Sequence, residues 1–224
     1  MKSILTTTIS ILALLSAPLQ SAYATFIDLV VHDITNNNLG LAEYAVYAVF
    51  DHPGDELVVV NPELIVSTTG FFHNSINGGG QWALPFTSAQ SAMSDHPDAD
   101  SFVSIGLFTG DDNATDLAPA FDIDAFVSGN TISEGWFNSN PLNDQGVAGD
   151  DLLVLIAVFT PLNDASGRAG IVTGTVLVSY GTPDQPGVQL GTGSFITPAP
   201  GALGLLALAG VFGRSRGRGH VPRR

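Results

Sequence analysis

Acidic and amide side chains crowd three short stretches of this 224-residue chain: SDHPDAD at 94–100, GDDNATD at 110–116 and GDD at 149–151. Calcium takes six to eight oxygens from Asp, Asn and backbone carbonyls on flexible loops. Asp95, Asp98, Asp100, Asp111, Asp112, Asn113 and Asp116 are therefore the candidate ligands, and calcium is the one candidate cofactor. Residues 111–122 fail as an EF-hand loop. Asp111 and Asn113 fit its first and third positions, but Asp116 stands where Gly is needed and Asp122 where Glu is usual. The competing reading of these stretches is solvated turns, which Asp and Asn form readily.

Other chemistry finds less support. His32, His52, His73 and His96 lack the close spacing of zinc ligands. The nucleophile-elbow pattern G-x-S-x-G does not occur; GTGSF presents Ser194 without the second glycine or a following helix. Asp122 and Asp124 would share one face of a regular strand, about 7 Å apart, but an acid pair is evidence of glycoside chemistry only when its spatial separation is known. No catalytic residue is assigned, and the chain reads as a non-enzyme. Trp82, after NGGGQ, and Trp136, in EGWF, are candidate sugar-stacking rings. Burial in a core is the competing fate of each. Asn113-Ala-Thr115 matches a glycosylation sequon.

The elements that would carry these residues are mostly strands. Short runs rich in Val, Tyr and Phe alternate with turn signals such as Asp-His-Pro-Gly-Asp and Asn-Pro. EYAVYAVF and ELVVVNPELIVST lead, with further strands expected at 26–32, 101–108, 121–127, 152–160, 171–180 and 188–196. In FDIDAFV, Phe121, Ile123, Ala125 and Val127 point one way and Asp122 and Asp124 the other, which predicts a strand. LLVLIAVF is continuously apolar and predicts a strand covered on both faces. Ser88–Met93 is the best short-helix candidate. Eight or more short strands point to a mainly β fold, a single antiparallel β-sandwich, jelly-roll-like. Binding would sit on its long polar loops at 74–97 and 138–150.

Charge is segregated along the chain. Lys2 lies near the start, and Arg214, Arg216, Arg218, Arg223 and Arg224 lie at the end. One arginine, Arg168, faces 21 acids between, a net −20. So acidic a domain repels nucleic acid and anionic membranes. Cysteine is absent, so neither disulfides nor thiolate metal sites exist.

The two ends read as addresses. Lys2, an apolar stretch from Ile4 to Leu15, and Ala22-Tyr23-Ala24 form a signal-peptide pattern, with a signal helix and cleavage expected after Ala24. Its partners would be the Sec export machinery and signal peptidase. At the other end, twelve apolar or glycine residues from Gly201 to Phe212 would form a helix spanning about 18 Å. That is short of the roughly 30 Å of a hydrocarbon core. The arginines that follow would stay at a cytoplasmic face.

Pro198-Ala199-Pro200, this short helix, and Arg214, Arg216 and Arg218 together resemble the PEP-CTERM sorting tail of Gram-negative bacteria. The chain departs from that pattern in carrying Ala199 for the usual Glu and in continuing as GHVPRR. The resemblance implies recognition by an exosortase-like membrane protease, transient anchoring in the inner membrane, and an association with exopolysaccharide at the cell surface or in the matrix. YAVYAVFDHPGDELVVV, DSFVSIGLFTGDD and GWFNSNPLNDQGVAGDDLLVLIAVFT resemble secreted domains found with such tails, which bring no assigned activity. The expected organisation is a signal peptide at 1–24, an acidic sandwich at 25–196 and a sorting tail at 197–224. The expected role is that of an exported, envelope-sorted structural protein, or alternatively a calcium- or polysaccharide-binding module.

Overall fold

The strongest β-formers pair at the centre of two sheets. The computed structural model describes residues 25–75, 83–183 and 185–198. Ten strands run β1 Phe26–Asp33, β2 Tyr44–Phe50, β3 Glu56–Ser67, β4 Phe102–Val103, β5 Thr115–Leu117, β6 Thr131–Ile132, β7 Trp136–Asn138, β8 Leu153–Phe159, β9 Val172–Thr182 and β10 Gln185–Ile196. Two short helices, α1 Ser88–Ser91 and α2 Ile123–Val127, interrupt them. One sheet has the order β1-β2-β8-β4; the other has β10-β9-β3-β7-β5, with β6 also on β3. Every strand pair is antiparallel, and the sheets pack as a sandwich.

Burial follows the pattern of the sequence. In β9 every second residue from Val172 to Thr182 is buried, so one face meets the core. In β8 Val154 to Phe159 are all buried, as its continuous apolar run predicts. A register shift against β2 between Val46 and Tyr47 marks a bulge in this pairing. The outer face of the β2–β8 pair is covered by a small second cluster of Ala45, Phe102, Leu155 and Val158. The main core lies between the sheets around Phe50, Leu57, Ile65, Phe126, Trp136 and Phe159.

The edges of the two sheets meet at β1 and β10. A Cβ at Gly191 would lie 2.4 Å from Phe26 Cδ1, and one at Gly193 would lie 2.8 Å from Leu29 Cγ. The alternating glycines of the GTGSF stretch are therefore packing residues that let β1 lie on β10. Ser194 faces outward, 2.9 Å from Thr175 Oγ1 across the ladder.

Two expected strands are corrected. Residues 121–127 hold α2, because the Asp122 carboxylate accepts from the Ala125 N–H at 2.9 Å and caps a helical turn. Phe126 is then the buried residue and Ile123 is exposed, the reverse of the alternation. Within 101–108 only Phe102–Val103 pairs as strand. Gly106, at φ 79°, turns the chain there, and a Cβ on it would lie 1.7 Å from the Gln145 carbonyl oxygen. Ser88–Ser91 is helical as expected, its Thr87 and Gln90 forming a capping box.

The expected signal segment, Trp82 and the expected sorting tail from Ala199 onward, with Arg214, Arg216 and Arg218, lie outside the described residues. Among the described residues no helix is long and apolar enough to cross a membrane.

Candidate functional site

A crevice of about 180 Å³ opens where the residues before β2, the segment after β3 and the loop before β4 converge. Glu43, Asp98 and Asp100 line it with Asn74, and Phe86, Phe102 and Phe108 supply its apolar wall. Glu43 takes hydrogen bonds from the Asp100 backbone and the Asn37 side chain, but burial outweighs both and pushes its carboxyl up to about 7, with help from the charge of Asp98. Burial pushes Asp100 up to about 8, against hydrogen bonds from the Asn74 and Ser101 backbone N–H groups at 2.9 and 2.8 Å. The charge of Glu43 adds a smaller push on Asp100. His73 stands behind them. Its Nδ1 is 3.9 Å from Asp100 Oδ1, and its Nε2 is 3.2 Å from the Phe126 carbonyl oxygen, a bond that requires the Nε2–H tautomer.

The surrounding backbone is fixed by side-chain bonds. Asn74 is buried; its Oδ1 accepts from the Ser75 and His96 N–H groups, and its amide nitrogen reaches Ser94 Oγ and the His96 carbonyl. This shapes the Asp-His-Pro turn that presents Asp98. The Thr160 hydroxyl donates to the Asp100 carbonyl at 2.8 Å and ties the same loop to the end of β8.

The expected calcium ligands serve different neighbours, although Asp98 and Asp100 both line the crevice. Asp95 accepts from Ser75 Oγ at 2.7 Å, Asp98 from Asn38 Nδ2 at 3.3 Å, and Asp100 turns inward. Asp111 accepts from Ser88 N–H and Ser88 Oγ at the start of α1, and these bonds hold its carboxyl below the usual range. Asp112 takes a left-handed turn position at φ 57°, and Asp116 is exposed on β5. Among the described residues no group of three or more His, Asp or Glu side chains converges as metal ligands do.

Asn113 belongs to a different assembly. Gln145 is 8% exposed, and its two Nε2 hydrogens are shared among the Ile105 carbonyl, Asn113 Oδ1 and Thr115 Oγ1 at 2.5, 2.8 and 2.9 Å. Its Oε1 accepts from the Ala114 N–H at 2.7 Å and Asn143 Nδ2 at 3.1 Å. Asn113 Nδ2 reaches Ser104 Oγ and the Thr109 carbonyl. Both polar residues of the sequon are therefore committed inside this hub.

No family model, curated protein or solved structure matches the chain significantly. The site's reading therefore rests on its own geometry.

Trp136 is a correction to the sugar-stacking reading. It is 0% exposed, and its Nε1 donates to the Ser104 carbonyl at 3.0 Å, so neither ring face is open to a ligand. Asp122 caps α2 and Asp124 lies in its first turn, rather than both facing out from a strand. Glu43 and His73 are the site residues that sequence reasoning missed. The one available signal was Glu43 itself, a charge immediately before the long apolar run YAVYAVF.

Proposed function

We propose that this chain is an exported, envelope-sorted extracellular protein whose acidic β-sandwich acts without catalysis at the cell surface or in the matrix. The observation that carries the reading is the fit between fold and addresses. The first strand opens at Phe26, just past Ala24 of the A-x-A pattern, and the last closes at Ile196, just before Pro198 of the Pro-x-Pro break. Removing either end at those points would leave the sandwich whole. The Sec machinery and signal peptidase would act on 1–24, and an exosortase-like membrane protease on the tail. Loop acids that cap and brace turns, such as Asp111 and Asp95, suit a charged, well-solvated surface. The test is localisation of the full chain in an exosortase-bearing host. Arg214, Arg216 and Arg218 changed together to Ser should leave the protein mislocalised and its tail unprocessed. Unchanged fractionation and mass would overturn the sorting reading.

The crevice favours one second reading, that of a polysaccharide-binding module. Carboxyl and amide groups beside aromatic rings suit the hydroxyls and apolar faces of sugars. Glu43, Asn74, Asp98 and Asp100 would supply the polar contacts and Phe108, half exposed, an apolar face. A glycan array run with and without calcium tests it. Binding lost in Asp98→Ala or Phe108→Ala supports the module, and silence across the array returns the protein to the structural reading.

A further inference from the structure

Thr25 is the residue that signal cleavage after Ala24 would leave at the amino terminus, and it is already docked. Its backbone N–H donates to Asp51 Oδ1 at 2.5 Å, and its hydroxyl donates to Asp51 Oδ2 at 2.9 Å. The Asp51 N–H returns a bond to the Thr25 carbonyl at 3.2 Å. Asp51 opens the turn between β2 and β3, where Asp55 is wholly buried beside Thr182. The Asp55 carboxyl is pushed upward chiefly by desolvation, and the charge of Asp51 adds to the push. Cations are scarce in this domain. Arg168, its single basic side chain, is held in the Asp164–Arg168 turn, where its Nε donates to Ser166 Oγ.

We propose that processing after Ala24 converts the Thr25 amide into an α-ammonium captured by the Asp51 carboxylate, a charged clasp between β1 and the β2–β3 turn. Hydrolysis adds water across the Ala24–Thr25 bond. The oxygen leaves with Ala24 as a carboxylate, and the nitrogen stays on Thr25, protonated at neutral pH. The hydrogen bond that the uncut chain makes as a neutral amide becomes a charge-assisted one. The clasp also places a positive charge beside the Asp51–Asp55 pair, which is otherwise repulsive. The inference rests on the export reading above for the cleavage, and on the Thr25–Asp51 geometry for the capture.

The sequence provides an unusually clean assay. Lys2 is the one lysine and leaves with the signal segment, so the α-amine is the only primary amine in the processed chain. The full chain is expressed in exporting cells, and the processed protein is purified, sequenced from its amino terminus and acylated with an N-hydroxysuccinimide ester. We expect Thr25 at the amino terminus and native acylation about fivefold slower than in urea, the ratio expected of a solvent-exposed ion pair. Asp51→Asn should bring the two rates together. Asp51→Glu should keep part of the protection, and Thr25→Val, which retains the ammonium, most of it. Should Asp51→Asn not fold, the native-to-urea ratio of the wild type and of Asp51→Glu decides. A Thr25 terminus that acylates equally fast in both states overturns the clasp and leaves export standing. A chain uncut, or cut elsewhere, overturns both.

Discussion

The Gln145 hub and the Glu43–Asp100 crevice are both polar, both built from loops, and physically opposite. In the hub, neutral amides and hydroxyls meet each other's donors and acceptors, so its geometry is indifferent to pH. In the crevice, burial pushes two carboxyls upward, and neighbouring charge adds to it, that of Asp98 on Glu43 and that of Glu43 on Asp100. A satisfied neutral network specifies the loops, whereas an acidic pair leaves part of the stability to the solvent's proton concentration. The first is a strut. The second is the part of the fold that a ligand or a change of pH can reach.

The largest expected effect breaks the hub. Gln145→Ala strands the Ile105 carbonyl and the Ala114 N–H in a buried site and should cost about 3 kcal/mol, read by urea denaturation at any pH from 5 to 8. A loss that depends on pH would break the contrast.

Next comes the crevice. Glu43 and Asp100 titrate higher in the folded state than in the unfolded chain, so the folded state binds more protons. Their contribution is fully present below the unfolded carboxyl range and is lost as pH rises through about 7 to 8. The thermal midpoint should fall by about 5–10 °C between pH 5 and 8. Glu43→Gln or Asp100→Asn should flatten that fall, while Gln145→Ala keeps it. An equal fall in all four proteins would assign it to general repulsion among surface acids instead.

A smaller effect tests the correction at 121–127. Asp122→Ala removes the cap of α2 and should cost about 1 kcal/mol in the same denaturation assay. No loss would mean that the cap does not select the helix. The smallest change sharpens the crevice. Asp98→Asn removes a like charge from beside Glu43 and should move the midpoint of the pH transition to lower pH, with little change in stability at pH 5.

The long strands were legible because each carries a strong local signal. YAVYAVF and IVTGTVLVSY gather β-branched and aromatic residues, and LLVLIAVF announces a doubly covered strand that the second cluster explains. The two- and three-residue strands β4 to β7 are too short to hold a period, so nothing in their sequence reveals them. FDIDAFV misled because four apolar residues at alternate positions suit a strand, while a single carboxylate bond to the Ala125 N–H suffices to wind the segment into a turn of helix. The loop acids were legible as a composition but not as a site. Asp95, Asp98 and Asp100 lie within six residues of one another in sequence and serve three different neighbours. Glu43 and His73 reach Asp100 from distant parts of the chain, a proximity that only tertiary pairing creates.

The seam in which Phe26 and Leu29 nest on Gly191 and Gly193 brings together the first and last strands among the described residues. They lie at opposite ends of the described residues, so the barrier to folding includes closing nearly all of the chain between them. That seam cannot close until β10 is available to receive β1.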